Sequence, residues 1–181
     1  MSGAFPEHPF WNYSLALYRK DGVERACLAL QDEFGLDANL VLFCLWAGVE
    51  GPGELTAEEL NECMARGGQW QREVVQRLRF IRRTLKHDNL GATDKLAKAL
   101  RPDVQSLELS AEHVEQLLLA SVVPPERGER SPAAGIKNTG AYFDVAGVSR
   151  AGEAKAAIMI ILAAALPPLP TDVLAEQWAN G

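Results

Sequence analysis

Residues 40–47 read Leu-Val-Leu-Phe-Cys-Leu-Trp-Ala, a stretch with no polar side chain. Spanning a bilayer takes about 20 apolar residues, so this run is too short for a membrane helix. A helix that is apolar on every side is normally enclosed by other helices. The stretch therefore predicts the central rod of an all-α domain, starting at Asp37 as N-cap and ending near Gly48, ahead of Gly51-Pro52-Gly53.

The surrounding chain repeats helical signals. Phe10 to Arg19 places Trp11, Leu15 and Tyr18 on one stripe, and Asp21 is positioned to cap the next helix. There Val23, Ala26, Cys27, Leu30 and Phe34 recur at helical spacing, and Gly35 follows where a left-handed residue ends a helix. Thr56-Ala-Glu-Glu59 has capping-box spacing and opens a helix through Ala65, with Gly67-Gly68 as its expected break. A long helix is expected over 69–87, with shorter ones at 93–100 and 110–122, the latter capped by Ser110. Prolines, glycines and charges dominate 123–148, which reads as a long loop in which Gly140 to Val145 could form a turn that packs back. Ser149 and Thr171 would cap two C-terminal helices, within 149–179, that pack back on the body. No strand-like alternation and no internal repeat is present. The expectation is one domain over 1–181, a compact bundle of about seven or eight helices.

Composition narrows function mainly by exclusion. The 181 residues are 48% hydrophobic and 23% charged with a net charge of −6, which argues against wholesale wrapping of nucleic acid. Residues 1–9 carry no signal-peptide pattern, and the apolar run 156–166 is too short to span and is stopped by Pro167-Pro168. Cys27, Cys44 and Cys63 are odd in number and widely spaced, as in a reduced, cytoplasmic protein.

Three segments resemble a known family: Phe10-Trp-Asn-Tyr-Ser-Leu-Ala-Leu-Tyr18, Gly22-Val-Glu-Arg-Ala-Cys-Leu-Ala-Leu-Gln-Asp32 and Asp37-Ala-Asn-Leu-Val-Leu-Phe-Cys-Leu-Trp46. The segment Trp70 to Lys86, with Val74-Val75, Leu78-Arg79 and Arg82-Arg83, extends the likeness. Together they look like a family of small bacterial proteins catalogued as domain of unknown function 2390. The resemblance covers roughly residues 10 to 90. It implies a bacterial, helical, cytoplasmic protein and carries no activity, cofactor or catalytic residue.

The 70–87 helix holds the strongest functional lead. At helical spacing, Trp70, Val74, Leu78, Ile81 and Leu85 form an apolar stripe, while Arg72, Arg79, Arg82, Arg83 and Lys86 fall opposite, with Arg82 at the edge. Six Lys/Arg against Glu73 give this segment +5, leaving −11 for the rest of the chain. Arginine forks match carboxylate and phosphate oxygens, so this face would bind an acidic protein surface, with nucleic acid or a phosphorylated ligand as alternatives. A solvated face paired with neighbouring acids such as Glu58, Glu59 and Glu62 is the competing reading. Arg77 falls beside Trp70 and is expected to be paired inside the fold. A rival class is a small-molecule or diphosphate-type binder or enzyme, with a pocket among Trp11, Tyr18 and Trp46 and the acidic turn Asp32/Asp37. The acids around that turn are not stacked at i and i+4, His8, His87 and His113 have no ligand spacing, and no nucleophile or phosphate-loop motif occurs. No metal, no cofactor and no catalytic residue is therefore expected.

Overall fold

The computed structural model describes residues 5–124 and 128–181, and among these it is all helical. The α-helices are α1 (Pro9–Tyr18), α2 (Val23–Phe34), α3 (Ala38–Val49), α4 (Ala57–Trp70), α5 (Gln76–His87), α6 (Asp94–Val122), α7 (Pro132–Val145), α8 (Gly152–Ala165) and α9 (Thr171–Asn180). A π turn, Gln71–Val75, joins α4 to α5, so those two make one continuous rod. No helix among the described residues is long and apolar enough to cross a membrane.

The apolar rod is the centre of the molecule. Every residue of α3 from Asn39 to Gly48 is buried, and α1, α2, α4, α6 and α7 surround it. Asp37 caps it by accepting a hydrogen bond from the Asn39 backbone N–H at 2.9 Å. Phe10 stacks on Trp46 at 5.2 Å and meets Phe43 edge-on, which closes the α1 side. The capping box at Thr56 forms as expected, and Gly35 ends α2 at φ 70°. Cys27, Cys44 and Cys63 are buried free thiols. Burial pushes the Cys27 and Cys63 thiols up to about 12 and Cys44 well above its ordinary value.

Several elements differ from the sequence reading. Gly67-Gly68 do not break α4; Gly67 lies where a Cβ would come within 2.8 Å of Leu119 Cδ2, so it permits close approach of α6. Residues 94–122 form one helix that runs through Pro102, with Ser110 inside it rather than capping a second segment. The α2 N-cap is Gly22 at φ 78°, not Asp21, and Ala151 and Pro170, rather than Ser149 and Thr171, occupy the caps of α8 and α9.

The largest difference is α7, which lies within the stretch expected to be a long loop. Ser131 accepts from the Ala134 N–H at 3.1 Å, and Pro132 occupies the first helical position, where a missing N–H costs nothing. The glycines of this helix allow backbone contact with α3. A methyl on Gly48 would collide with the backbone of Ala134 and Gly135, and one on Gly135 would lie 2.9 Å from Val49 Cγ2. Asn138, fully enclosed, donates to the carbonyls of Cys44 (3.1 Å) and Gly53 (3.0 Å) and accepts from the Leu55 N–H (2.8 Å). Beyond α7, α8 packs mainly on α2. Trp178 of α9 is buried edge-on against Phe143, with its indole N–H on the Arg150 carbonyl at 3.1 Å.

Candidate functional site

The π turn decides which face of the 70–87 segment is buried. Its i→i+5 bond, from the Gln76 N–H to the Gln71 carbonyl, inserts an extra residue into the helix and rotates everything after it. Gln71 and Val75 are buried, and Arg79 and Arg82 follow them at helical spacing on the face turned toward α6. Ile81, assigned inward by an uninterrupted helical period, is exposed, and α5 has no buried residue of its own.

The arginine face is consequently occupied from within. Arg79, with only 12% of its side chain exposed, donates from Nε to Glu108 Oε1 at 2.9 Å and from Nη2 to Glu112 Oε1 at 2.7 Å. Arg82 pairs with both oxygens of Glu108. Arg83 reaches Asp32 on α2 at 2.8 Å across a half-exposed gap. Three of the five expected contact residues are thus held by acids of the same chain, and they tie α5 to α6 and α2. Arg72 and Lys86 make no ion pair among the described residues. Arg77 is paired, but on the surface: it meets Glu73 at 2.5 Å with 69% of its side chain exposed, so the expected burial of this pair is not found.

Beneath the cluster lies a cavity of about 130 Å³ where α1, α2, α3, α6, the π turn and Arg79 converge. Trp11 and Tyr18 line it; the other three residues expected to form a pocket with them do not. Asp32 is engaged by Arg83, and Trp46 belongs to the core beside Phe10 and Phe43. Asp37 sits behind Gln71 and lines a separate, more open cleft of about 300 Å³ with Arg72, Gln76 and Tyr142.

Three wall residues, Asn39, Gln71 and Gln116, belong to a polar relay missed by local sequence reading, because its members come from α3 and its cap, the π turn, α6 and α7. Gln116 Nε2 donates to Asn39 Oδ1 at 2.8 Å, and Asn39 Nδ2 donates to Glu115 Oε2 at 2.9 Å. Gln71 Nε2 points to Asp37 Oδ1 at 3.5 Å, and the Asp37 N–H donates to the Tyr142 hydroxyl oxygen at 2.8 Å. Glu115 is completely enclosed. Burial first, then the Asp37 charge and a hydrogen bond with Asp37, push its carboxyl up to about 11, so it carries a proton across the neutral range. That proton gives Glu115 a donor for Asp37, and a carboxylic acid bonded to a neighbouring carboxyl needs no counter-ion. Burial also outweighs the Arg79 charge at Glu112 and holds its carboxyl above the usual range. Glu108 lies below that range: burial raises it, but hydrogen bonds from Arg82 and Arg79 more than offset this.

The chain is matched over residues 9–119 by the family model described as "Protein of unknown function (DUF2390)". It belongs to that family. A search of curated proteins and of solved structures gave no match.

Proposed function

We propose that the protein is a non-enzymatic interaction module, working in a reduced cytoplasmic setting, that holds an acidic and partly apolar protein segment at the α5–α6 hairpin. The observation that carries this reading is Leu90, at the tip between the two helices. It is 72% exposed and has a left-handed backbone at φ 51°. A non-glycine residue in that region costs roughly 1–2 kcal/mol, and an exposed leucine recovers none of it by burial. Inside the fold the Leu90 N–H bond to Asp88 Oδ1 (2.9 Å) holds this turn, but the leucine side chain itself gains nothing there, which points to a contact outside it.

The neighbourhood agrees in chemistry. Phe80 (70% exposed), Leu96 (63%) and Leu100 stand out from the same hairpin, and between Asp94 and Asp103 only Ala97 is buried. Lys86, Lys95 and Lys98 are exposed beside them and make no ion pair among the described residues. Apolar side chains rimmed by lysines that make no ion pair suit a partner with carboxylates around an apolar anchor, although exposed Asp88, Asp94 and Asp103 temper the local charge. The contact surface thus moves from the paired Arg79 and Arg82 to the outer ridge of the hairpin.

The test uses a partner recovered on the full chain, identified, and then titrated as a purified pair. Leu90→Asn should bind at least tenfold more weakly while its Tm stays level or rises slightly, since asparagine tolerates the left-handed region. Lys95→Glu/Lys98→Glu should weaken binding and reduce its salt dependence. Undiminished affinity in both variants, or recovery of nothing but a second copy of the chain, would overturn the reading.

A further inference from the structure

We propose that the 130 Å³ cavity between α1, α3 and α6 is a binding site for a small organic ammonium ion with a short apolar body. The argument is independent of the hairpin and rests on which ends of the buried polar groups are already used. The amide N–H ends of Gln116 and Gln71 are directed toward Asn39 and Asp37. Their carbonyls, Gln116 Oε1 and Gln71 Oε1, are left without a partner, and so is Ser14 Oγ. All three residues line the cavity, and each is at least 95% enclosed.

A buried acceptor with no donor costs roughly 1–3 kcal/mol, and three around one cavity are a strong demand for a donor. An ammonium group offers three N–H donors and no lone pair, which matches three bare oxygens one for one. A carboxylate or phosphate offers only acceptors; it could take the Ser14 O–H but would leave both glutamine carbonyls unpaired. The guanidinium on the wall does not reverse this, because Arg79 is already divided between Glu108 and Glu112. With Glu115 protonated, the remaining acids Asp37, Glu108 and Glu112 still outnumber Arg79 and Arg82 by one, so a bound cation also suits the local charge balance. Apart from Gln31 and Glu112, the remaining wall is largely apolar, with Leu15, Leu42, Leu109 and the aromatic residues Trp11 and Tyr18. A cavity of about 150 Å³ accommodates benzene, so this one holds roughly half a dozen heavy atoms. Leu28, partly exposed, lines both this cavity and the outer basin beside Arg83 and Lys86.

The experiment titrates the full chain with n-butylammonium, n-butanol and n-butyrate, followed by calorimetry and amide chemical shifts. Butylammonium should saturate with a Kd below about 1 mM and bind at least tenfold more tightly than butyrate, a difference of about 1.4 kcal/mol or more. Gln116→Met removes a carbonyl at similar volume and should weaken ammonium binding at least tenfold. Leu28→Trp, at the exposed rim, should block entry without touching the acceptors, which guards against a Gln116 variant that fails to fold. Equal binding of butyrate, or no saturation up to about 10 mM, would overturn the proposal. So would a crystal soaked in butylammonium in which only waters bridge Ser14, Gln71 and Gln116.

Discussion

Replacing Glu115 by glutamine should change how stability depends on pH more than it changes stability itself. The native carboxyl holds its proton up to about 11, whereas in the unfolded chain it titrates near its ordinary value of 4.5. Between those two values the folded protein carries one proton more than the unfolded chain at this position. Its contribution is therefore complete below the unfolded pKa and is lost progressively as pH rises toward the folded one. The slope is that of one proton, about 1.4 kcal/mol per pH unit, and it does not depend on the exact height of the native pKa so long as that lies above the interval. Glutamine keeps the shape of the protonated acid: its carbonyl can accept from Asn39 and its amide can donate to Asp37. Glu115→Gln should thus gain on the wild type by about 2.7 kcal/mol between pH 6 and pH 8. For a chain of this length that corresponds to roughly 5–11 °C in relative Tm. Urea or thermal unfolding of both proteins at those two pH values, followed by circular dichroism, reads the difference directly. Parallel stability curves would mean that Glu115 is ionised in the native state, and the account of the relay would fail.

Other consequences can be checked with the same unfolding assays. Gly48→Ala forces a methyl into the backbone of α7 and should cost more than about 3 kcal/mol or prevent folding, whereas Gly91→Ala, with open space around its Cβ but φ 85°, should cost only about 1 kcal/mol. Arg79→Met strands Glu112 and leaves Glu108 to Arg82 alone, and should destabilise by about 3 kcal/mol, with an Arg79→Met/Glu112→Gln variant recovering much of the loss. A result within 0.5 kcal/mol of wild type, roughly the effect of a surface change, would show that this cluster is solvated. Trp46→Ala should cost roughly 3–5 kcal/mol through the cavity it leaves beside Phe10 and Phe43; under about 1 kcal/mol would contradict the buried rod.

What sequence could reveal here was whatever depends on neighbours within one turn of helix. The saturated 40–47 run, the Thr56 capping box, the Asp37 cap and Gly35 at the end of α2 all rest on local spacing, and each has its expected place. The arginine face was misphased because a uniform helical period cannot register the additional residue of the π turn. Ser131-Pro132 was a readable helix start, but the glycines and lysine that follow concealed α7, whose stability comes from contact with α3 rather than from helix propensity. Trp11 and Tyr18, expected as aromatic pocket residues against Trp46, do line the cavity, whereas Trp46 does not. The Asn39–Glu115 bond spans 76 positions of chain, so no window along the sequence could have joined its partners. Leu90 is the subtlest case, since nothing in Asp-Asn-Leu-Gly requires the leucine, rather than the asparagine before it, to take up the left-handed backbone.

The glycine seam between α3 and α7 has a bearing on how the chain is made. The most water-averse helix is complete at residue 49, but the helix that covers one of its sides ends at residue 145. At ribosomal speeds of about 5–20 residues per second, nearly a hundred further residues take roughly 5–20 s to emerge. For that interval the nascent polypeptide displays a greasy rod whose α4, α6 and α7 flanks are covered only in turn, the α7 side last. Its yield in a cell should therefore depend on chaperone supply and translation speed more than its final thermodynamic stability would suggest.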